Sequence, residues 1–253
     1  MTVTSTTTPT PAAQERPANP VRLVFVILAV GLALVTIGWG CASVVAALGI
    51  RTYHSTTSFP ITDDLVIRGG DGSITLIADA TDEIVVDATV RHGLGGAHPV
   101  ASEQTDGLVL DGGCTSVFNT FCSVTFTVHV PRHLNLRGSV GDGSLTARGL
   151  VGTVAFSVGD GRVDLQEMDA DSVDLSAGDG SIHVGLVSAP QSIHVVTGDG
   201  SGSVCLPSST PSYAVILHKG DGSIHVDVPN DSRSSRTMAL STGDGSISAR
   251  LCP

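Results

Sequence analysis

The stretch GDGSLTARGLVGTVAFSVGDGRVDL (residues 141–165) decides the fold, because it contains two Gly-Asp-Gly turns separated by alternating polar and apolar residues. Gly-Asp-Gly occurs seven times in the chain, and the last six copies follow one another at intervals of 18 to 23 residues. A unit this short cannot bury its own apolar face, so its repetition indicates a stacked architecture. The seven central aspartates are Asp71, Asp142, Asp160, Asp179, Asp199, Asp221 and Asp244.

Apolar residues stand at fixed distances from each aspartate. Around Asp179, Val173 and Leu175 precede the turn, and Ile182 and Val184 follow it, with one residue between the members of each pair. Alternation with a period of two is typical of half-buried strands. The sequence therefore predicts an all-β fold, namely a β-solenoid (β-helix) of roughly 20-residue coils with Gly-Asp-Gly turns. An antiparallel β-sandwich or barrel is the alternative, because Asp-Gly between alternating runs is also typical of hairpins.

The glycines of the last six turns are predicted to be structural, at the corners of the coils. They are Gly141, Gly143, Gly159, Gly161, Gly178, Gly180, Gly198, Gly200, Gly220, Gly222, Gly243 and Gly245.

An apolar segment precedes the repeats, since residues 23–50 contain no charged side chain. About 20 apolar residues suffice to cross a hydrocarbon core of roughly 30 Å, so we predict one N-terminal transmembrane α-helix. A cleavable signal peptide is the alternative, although its apolar region is normally only about 7–15 residues long. Arg16 and Arg22 before the segment, against Arg51 alone after it, favour a cytoplasmic N-terminus. We therefore expect a single-pass protein of the cell membrane with an extracytoplasmic C-terminal domain.

The predicted organisation has four parts. Residues 1–21 form a disordered, Thr/Pro-rich cytoplasmic tail, residues 22–50 form the transmembrane helix, and residues 51–60 form a linker. Residues 61–253 form the extracytoplasmic β-solenoid. Within it, residues 78–134 are predicted to be irregular opening coils and residues 135–253 regular Gly-Asp-Gly coils.

The charge of the chain restricts its partners. Of 13 basic and 24 acidic residues, only three arginines and one glutamate precede residue 52, so the rest of the chain holds 10 basic and 23 acidic residues. A surface with this excess of negative charge repels nucleic-acid phosphates, which excludes nucleic acid as an expected partner. It is compatible with divalent cations or with a basic partner.

A resemblance to a known family is carried by VTFTVHVPRHLNLRGSVGDGSLTARGL (residues 124–150). An alternating strand ends there in Val-Pro, and a polar step, a second strand and a Gly-containing turn follow. Together with the later repeats, this segment resembles the DUF4097 family of adhesin-like β-solenoid proteins, over roughly residues 59–253. The resemblance implies a bacterial envelope protein, often with an N-terminal membrane helix, and implies no established catalytic residues.

Five cysteines are present, and Cys41 lies in the predicted membrane segment. Cys114 and Cys122 bracket a short loop that a hairpin could close, so we predict a disulfide between them. Cys205 and Cys252 each follow a Gly-Asp-Gly turn, but sequence order places them two coils apart, about 9–10 Å on the strand spacing. Bridged Cα atoms lie within about 7 Å, so this second pair can form a disulfide only if the last coil departs from the regular order.

The aspartate row has two interpretations. Asp142, Asp160, Asp179, Asp199, Asp221 and Asp244 would form a column of carboxylates, and Ca²⁺ takes several oxygen ligands. The alternative is that each aspartate caps its own turn by accepting hydrogen bonds from backbone N–H groups. The sequence favours the second interpretation, with no metal and no cofactor. His183 and His225 are expected to lie in one outward-facing column.

The function that these features favour is non-enzymatic. We expect a membrane-anchored envelope protein that presents a β-solenoid for adhesion or protein interaction, with the bilayer and an envelope or membrane protein as partners. An accessory or sensory component of envelope stress signalling is the first alternative. A glycan-active enzyme is the second, although the only Trp, Trp39, lies in the apolar segment and cannot stack on a sugar.

Overall fold

A computed structural model of the protein describes residues 25, 28–37, 51–69, 72–92, 100–104, 107–112 and 123–252. The chain divides into two units, residues 1–48 and 49–253. In the first unit, residues 28–37 are helical. No helix in the described part of the chain has both the length and the apolar character that a membrane crossing requires. Most of the predicted transmembrane segment at 22–50, and the predicted tail at 1–21, lie outside the described residues.

The described residues of the second unit form eighteen strands. They are β1 (Arg51–Phe59), β2 (Asp64–Gly69), β3 (Ser73–Asp79), β4 (Ile84–His92), β5 (Val100–Gln104), β6 (Gly107–Asp111), β7 (Ser123–Pro131), β8 (Asn135–Val140), β9 (Ser144–Arg148), β10 (Val151–Val158), β11 (Arg162–Ala177), β12 (Ser181–Leu186), β13 (Ser192–Thr197), β14 (Ser201–Pro207), β15 (Ala214–Lys219), β16 (Ser223–Asp227), β17 (Thr237–Thr242) and β18 (Ser246–Cys252).

Strand pairing arranges these strands in two sheets. Sheet A has the spatial order β1-β4-β7-β3-β9-β11-β12-β14-β18-β16. Sheet B has the order β5-β6-β2-β8-β10-β11-β13-β17-β15. Every repeat places the strand before its turn in sheet B and the strand after its turn in sheet A. The long strand β11 belongs to both sheets, because its first part pairs in sheet A and its second part in sheet B.

Among the repeats at residues 135–252, every strand pairing is parallel and aligns equivalent positions. Val173 is beside Ile193 in sheet B, and Ile193 is beside Met238. The prediction of an all-β fold is confirmed for the second unit. The antiparallel alternative is wrong for this part of the chain, because equivalent strands of successive repeats lie side by side in the same direction.

The predicted apolar columns form the core. Leu165, Val184 and Val204 occupy one position of the repeat, and the exposed fraction of each side chain is 0%. Because the pairing is in register, each of these side chains stacks on its equivalents in the neighbouring repeats. Removing these stacked apolar side chains from water is the main favourable contribution to the stability of the fold.

The spatial order of the last two repeats differs from their order in the sequence. Strand β18 pairs with β14 on one side and with β16 on the other, and β17 lies between β13 and β15. The final repeat, with its turn at Asp244, therefore lies between the repeats of Asp199 and Asp221. Sequence order had placed Asp221 next to Asp199, and this expectation is wrong.

The beginning of the second unit also departs from prediction. Residues 51–60, predicted as a linker, contribute strand β1, which pairs antiparallel with β4. Strand β4 also pairs antiparallel with β7, and β5 pairs antiparallel with β6. Residues 78–134 were predicted to be opening coils. Within them, β6 and β7 pair in parallel with β2 and β3, the two strands of the first repeat, and so add one parallel layer. The strands β4 and β5 pair antiparallel and lie at the end of the sheets.

Candidate binding groove on the Gly-Asp-Gly turns

Six Gly-Asp-Gly turns lie side by side along one edge of the second unit. From the strand pairing, their spatial order is Asp142, Asp160, Asp179, Asp199, Asp244 and Asp221. All six aspartate residues are exposed. On the usual spacing of about 4.8 Å between strands, the row extends over roughly 24 Å. Asp71 lies outside the described residues.

The second glycine of each turn is required by the close approach of the neighbouring turn. A Cβ atom built on Gly200 would lie 2.0 Å from the carbonyl oxygen of Gly180, and one on Gly245 would lie 2.0 Å from the carbonyl oxygen of Gly200. For Gly161 the corresponding distance, to the carbonyl oxygen of Gly143, is 1.8 Å. No side chain fits such a gap, so the repeated glycine is a packing requirement.

The backbone groups of the turns are hydrogen-bonded between repeats. The N–H of Gly245 donates to the carbonyl of Gly198 at 3.0 Å, and the N–H of Ser246 donates to the carbonyl of Gly200 at 3.0 Å. The same pattern holds at the next turn, where the N–H of Ser223 donates to the carbonyl of Gly245 at 3.0 Å. The prediction that each aspartate caps its own turn is therefore wrong, since neighbouring carbonyls accept these bonds.

The carboxylates border an open groove of about 810 Å³. The groove is lined by the six aspartates and by the glycine that follows each of them. A serine comes next in five of the turns, and Arg162 takes its place in the turn of Asp160. Within the described residues, none of the six carboxylates is engaged by a hydrogen bond or an ion pair. The groove thus presents a row of six negative charges that the fold itself does not use.

Calcium binding by the aspartate row, the interpretation that the sequence favoured less, finds no multidentate site in the described residues. No group of three or more His, Cys, Asp or Glu side chains in the described residues lies close enough together to hold a metal ion. Neighbouring repeats contribute one aspartate each, and this gives fewer oxygen ligands at any one point than Ca²⁺ usually takes.

The disulfide between Cys205 and Cys252 is present, with a Cα–Cα distance of 5.6 Å. The two strands that carry these cysteines, β14 and β18, are direct neighbours in sheet A. The expected separation of two coils is wrong because the final repeat lies next to the repeat of Cys205. Cys41, Cys114 and Cys122 lie outside the described residues, so the predicted Cys114–Cys122 disulfide stays a prediction.

His183 and His225 lie in one column, as predicted, but further apart than sequence order implies, since only the repeat of Asp199 stands between theirs in the sequence. His183 is beside Ser203, Ser203 is beside Ser248, and Ser248 is beside His225. Two repeats, and not one, therefore separate the two histidines. His194, on the other sheet, lies 3.0 Å from the carboxylate of Asp174 through its Nδ1 atom.

A second, smaller pocket was missed by sequence reasoning. It has a volume of about 320 Å³ and is lined by Ile77, Arg132, Arg148, Glu167 and others. Arg148 donates to both carboxylate oxygens of Glu167, and this hydrogen bonding lowers the pKa of Glu167 and raises the pKa of Arg148. Glu167 has φ 54° and lies where β11 passes from sheet A to sheet B. The available signal was the break in alternation at Gln166-Glu167, between two buried apolar residues.

Comparisons with known proteins identify related shapes only. No protein-family model matches the chain, and no curated protein matches it. A crystal structure named as a "putative cell adhesion protein", from Clostridium sporogenes, is 12% identical, with a TM-score of 0.46, and the match covers 80% of this chain and 100% of that one. A "putative adhesin" from Bacteroides fragilis is 15% identical, with a TM-score of 0.39, over 78% of this chain and 97% of that one.

A third structure, named as a "putative lipid binding protein" from Parabacteroides distasonis, is 12% identical, with a TM-score of 0.39, over 79% of this chain and 96% of that one. At these identities and scores the neighbours assign neither a family nor an activity to the chain, and the resemblance to DUF4097 stays a prediction.

Proposed function

We propose that the chain is a non-enzymatic envelope protein whose Gly-Asp-Gly repeats form a β-solenoid and bind a cationic partner along the aspartate groove. The supporting observation is the row of six exposed carboxylates, which border one groove and take no part in the hydrogen bonding of their own turns. Adhesion or protein interaction is the role that such a surface suits.

The chemistry of the groove indicates the class of partner. Its charged lining consists of six carboxylates and one guanidinium, that of Arg162. Carboxylates spaced by about 4.8 Å attract a chain that carries several positive charges, because opposite potentials across an interface favour encounter and fix the register. A basic, extended polypeptide segment meets this requirement better than a single small molecule, which would contact only two or three repeats.

Catalysis does not suit this surface. General acid and base catalysis needs neighbouring groups whose environments push their pKa values apart. The six aspartates instead repeat one exposed environment from turn to turn, and the serines beside them repeat with it. A non-enzymatic role therefore fits the groove better than a glycan-active one.

Membrane attachment is part of the proposal. It is supported by the uncharged run at residues 23–50 and by the arginines that precede it. In this arrangement the N-terminus is cytoplasmic and the second unit displays the groove outside the cell membrane.

The test is binding of poly-lysine to the full chain in detergent, compared with a variant that carries Asp160→Asn, Asp179→Asn, Asp199→Asn and Asp244→Asn. If each exposed charge contributes about 0.3–0.5 kcal/mol, the four substitutions weaken binding roughly tenfold. Isothermal titration calorimetry at two salt concentrations measures both the affinity and its dependence on ionic strength.

A matched control removes the same number of charges elsewhere, by Asp63→Asn, Asp82→Asn, Asp171→Asn and Asp227→Asn, all of which are exposed and outside the groove. The control variant is expected to retain most of the affinity of the native chain. Equal losses in both variants would show that net charge alone attracts the polycation, and the proposal would then be wrong.

A further inference from the structure

Both sheets end at the same repeat. Among the described residues, β15 pairs only with β17 in sheet B, and β16 pairs only with β18 in sheet A. The repeat around Asp221 is therefore the last layer of the second unit at this end, and we call β15 and β16 together the terminal layer.

The terminal layer leaves apolar side chains uncovered. Leu217 is 47% exposed, although its neighbour Leu240, at the same position of the repeat, is 0% exposed. Val215, Ile224 and Val226 are only partly buried, whereas the equivalent residues of the adjacent repeat are fully buried. Among the described residues, four core columns thus stop at this surface without a following layer.

The outer backbone groups of the terminal layer can be identified from the hydrogen bonds. The N–H of Ala214 donates to Arg236 at 2.8 Å and the N–H of Gly220 donates to Thr242 at 2.9 Å, both towards β17. Because successive residues of a strand direct these groups to opposite sides, Val215, Leu217 and Lys219 direct theirs to the open edge. The N–H of Val215 is held there only by the Asn230 side chain, at 3.4 Å.

The same reasoning applies to β16. The N–H of Ser223 donates to the carbonyl of Gly245, on the side of β18. His225 and Asp227 therefore direct their backbone groups inward, and Ile224 and Val226 direct theirs to the open edge. Apart from Lys219, which is exposed, the residues with open backbone groups in both strands occupy the apolar, core-facing positions of the repeat.

A partner that covers the terminal layer has to pair with two strand edges, that of β15 in sheet B and that of β16 in sheet A. A single extended peptide can pair with β15 or with β16, but it cannot close both sheets and the core between them. The opposite end of the unit does not offer a complementary apolar edge, because its outermost strand in sheet A, β1, is polar and almost wholly exposed. A head-to-tail contact would also continue into an open fibre. A second terminal layer offers two apolar edges at the required spacing.

We propose that two copies of this chain associate through their terminal layers about a two-fold axis that passes near Leu217 and His225. These residues lie four positions before and four positions after Asp221, so they stand at similar distances from the turn. Antiparallel pairing about this axis places Leu217 beside its own equivalent and Ile224 beside Val226 of the second copy.

This register satisfies both the backbone and the side chains. Leu217, Ile224 and Val226 each meet a residue whose N–H and C=O groups also point to the open edge, as hydrogen-bonded antiparallel pairs require. At Val215, the carbonyl of Lys219 of the second copy would replace the Asn230 side chain as the acceptor of the N–H. Lys219 is opposite Val215 and Asp227 is opposite Ser223, so no Lys or Asp of the two strands is opposite a like charge. The pairing stops short of Tyr213, whose outer edge is already occupied by its own loop through hydrogen bonds with Pro229 and Asp231. The association is independent of the proposed binding of cations.

The test is disulfide trapping of the full chain in detergent. Cα atoms of a non-hydrogen-bonded antiparallel pair lie about 4.5 Å apart, within the range that a disulfide spans. We expect His225→Cys to give a covalent dimer under mild oxidation, resolved on a non-reducing gel. His183→Cys is the matched control, because it occupies the same column in an interior repeat between β11 and β14. It and the native chain are expected to stay monomeric on the gel.

A second measurement tests the interface without a new cysteine. Leu217→Lys places a charge at the centre of the pairing but on an edge strand, where the isolated chain can accommodate it. Light scattering is expected to give the mass of two chains for the native protein and of one for Leu217→Lys, with unchanged circular dichroism. A native monomer, an equal yield of dimer from His183→Cys, a dimer without a His225→Cys crosslink, or a different protein bound at this end would each overturn the proposal.

Discussion

At the scale of single residues, the turn glycines and the turn aspartates have opposite roles. A Cβ on Gly200 would collide with the carbonyl oxygen of Gly180, so this position has no room for a side chain. The carboxylate of Asp199, next to it, is exposed and accepts no hydrogen bond from the described residues. The glycine is therefore needed for folding, whereas the aspartate is available for binding.

Gly200→Ala is expected to lower the free energy of unfolding by about 1–3 kcal/mol, as overpacking usually does. Asp199→Ala is expected to change it by less than about 0.5 kcal/mol, as exposed substitutions usually do. Urea denaturation of the two variants measures both values. A loss of about 1 kcal/mol or more for Asp199→Ala would instead favour the capping role that the sequence predicted.

Tyr213 gives the unit a dependence on alkaline pH. Its hydroxyl is buried and donates to the carbonyl of Pro190 at 2.7 Å, and burial raises the pKa of Tyr213 to about 12. The folded chain therefore holds this proton more tightly than the unfolded chain, in which the pKa is about 10. Stability from this group is complete below pH 10 and is lost as the pH rises from about 10 to about 12.

We expect Tyr213→Phe to reduce the loss of stability between about pH 10 and pH 12, although it costs about 1 kcal/mol at neutral pH through the lost hydrogen bond. Thermal unfolding followed by circular dichroism at several pH values measures this difference. Identical pH profiles for the native chain and the variant would contradict this account of Tyr213.

At the scale of strands, the sequence predicts which residues pair but not always which repeats are neighbours. The apolar columns were recognisable because side-chain alternation is local, and the buried positions agree with it. The exchange of the last two repeats was not recognisable, since equivalent strands carry the same columns and can stack in either order. The order depends on the connections at residues 208–213 and 228–236, whose course no local pattern specifies.

The disulfide illustrates the same limit. Sequence order puts Cys205 and Cys252 two coils apart, whereas the pairing of β14 with β18 brings their Cα atoms to 5.6 Å. The break in side-chain alternation at Gln166 and Glu167 was likewise only partly predictable from the sequence. It was visible as two adjacent polar residues, but its conformation follows from the passage of β11 between the two sheets.

The disulfide should hold the final repeat in its interior position. It closes a loop of 47 residues, and restricting such a loop in the unfolded chain stabilises the fold by about 4 kcal/mol in the chain-entropy estimate. We expect the double variant Cys205→Ser, Cys252→Ser to lose about 2–4 kcal/mol in urea denaturation.

Peptide mapping by mass spectrometry provides the control for this prediction. It is expected to find Cys205 and Cys252 in one linked peptide pair of the unreduced native chain. Detection of both as unmodified thiols in freshly purified chain would contradict the assignment, whatever the stability of the double variant.

At the scale of the whole molecule, the negative charge is concentrated where the fold cannot disperse it. The chain has a net charge of −11, and six of its carboxylates stand in one row along the turns. Parallel stacking forces this arrangement, because every repeat places its turn at the same edge. Such a row destabilises the folded chain by self-repulsion unless ions or a partner screen it.

Salt should therefore stabilise the native chain, and the groove should account for much of the effect. Raising NaCl from 10 mM to 1 M shortens the screening length from about 30 Å to about 3 Å, below the spacing of neighbouring turns. The melting temperature should rise by about 2–4 °C for each kcal/mol of repulsion removed. The variant with asparagine at residues 160, 179, 199 and 244 should show a smaller rise than the control with asparagine at residues 63, 82, 171 and 227. Millimolar CaCl₂ at matched ionic strength separates screening from coordination. An added increase in the native chain and in the control, but not in the variant of the groove, would indicate calcium binding by the groove, and no added increase would exclude it.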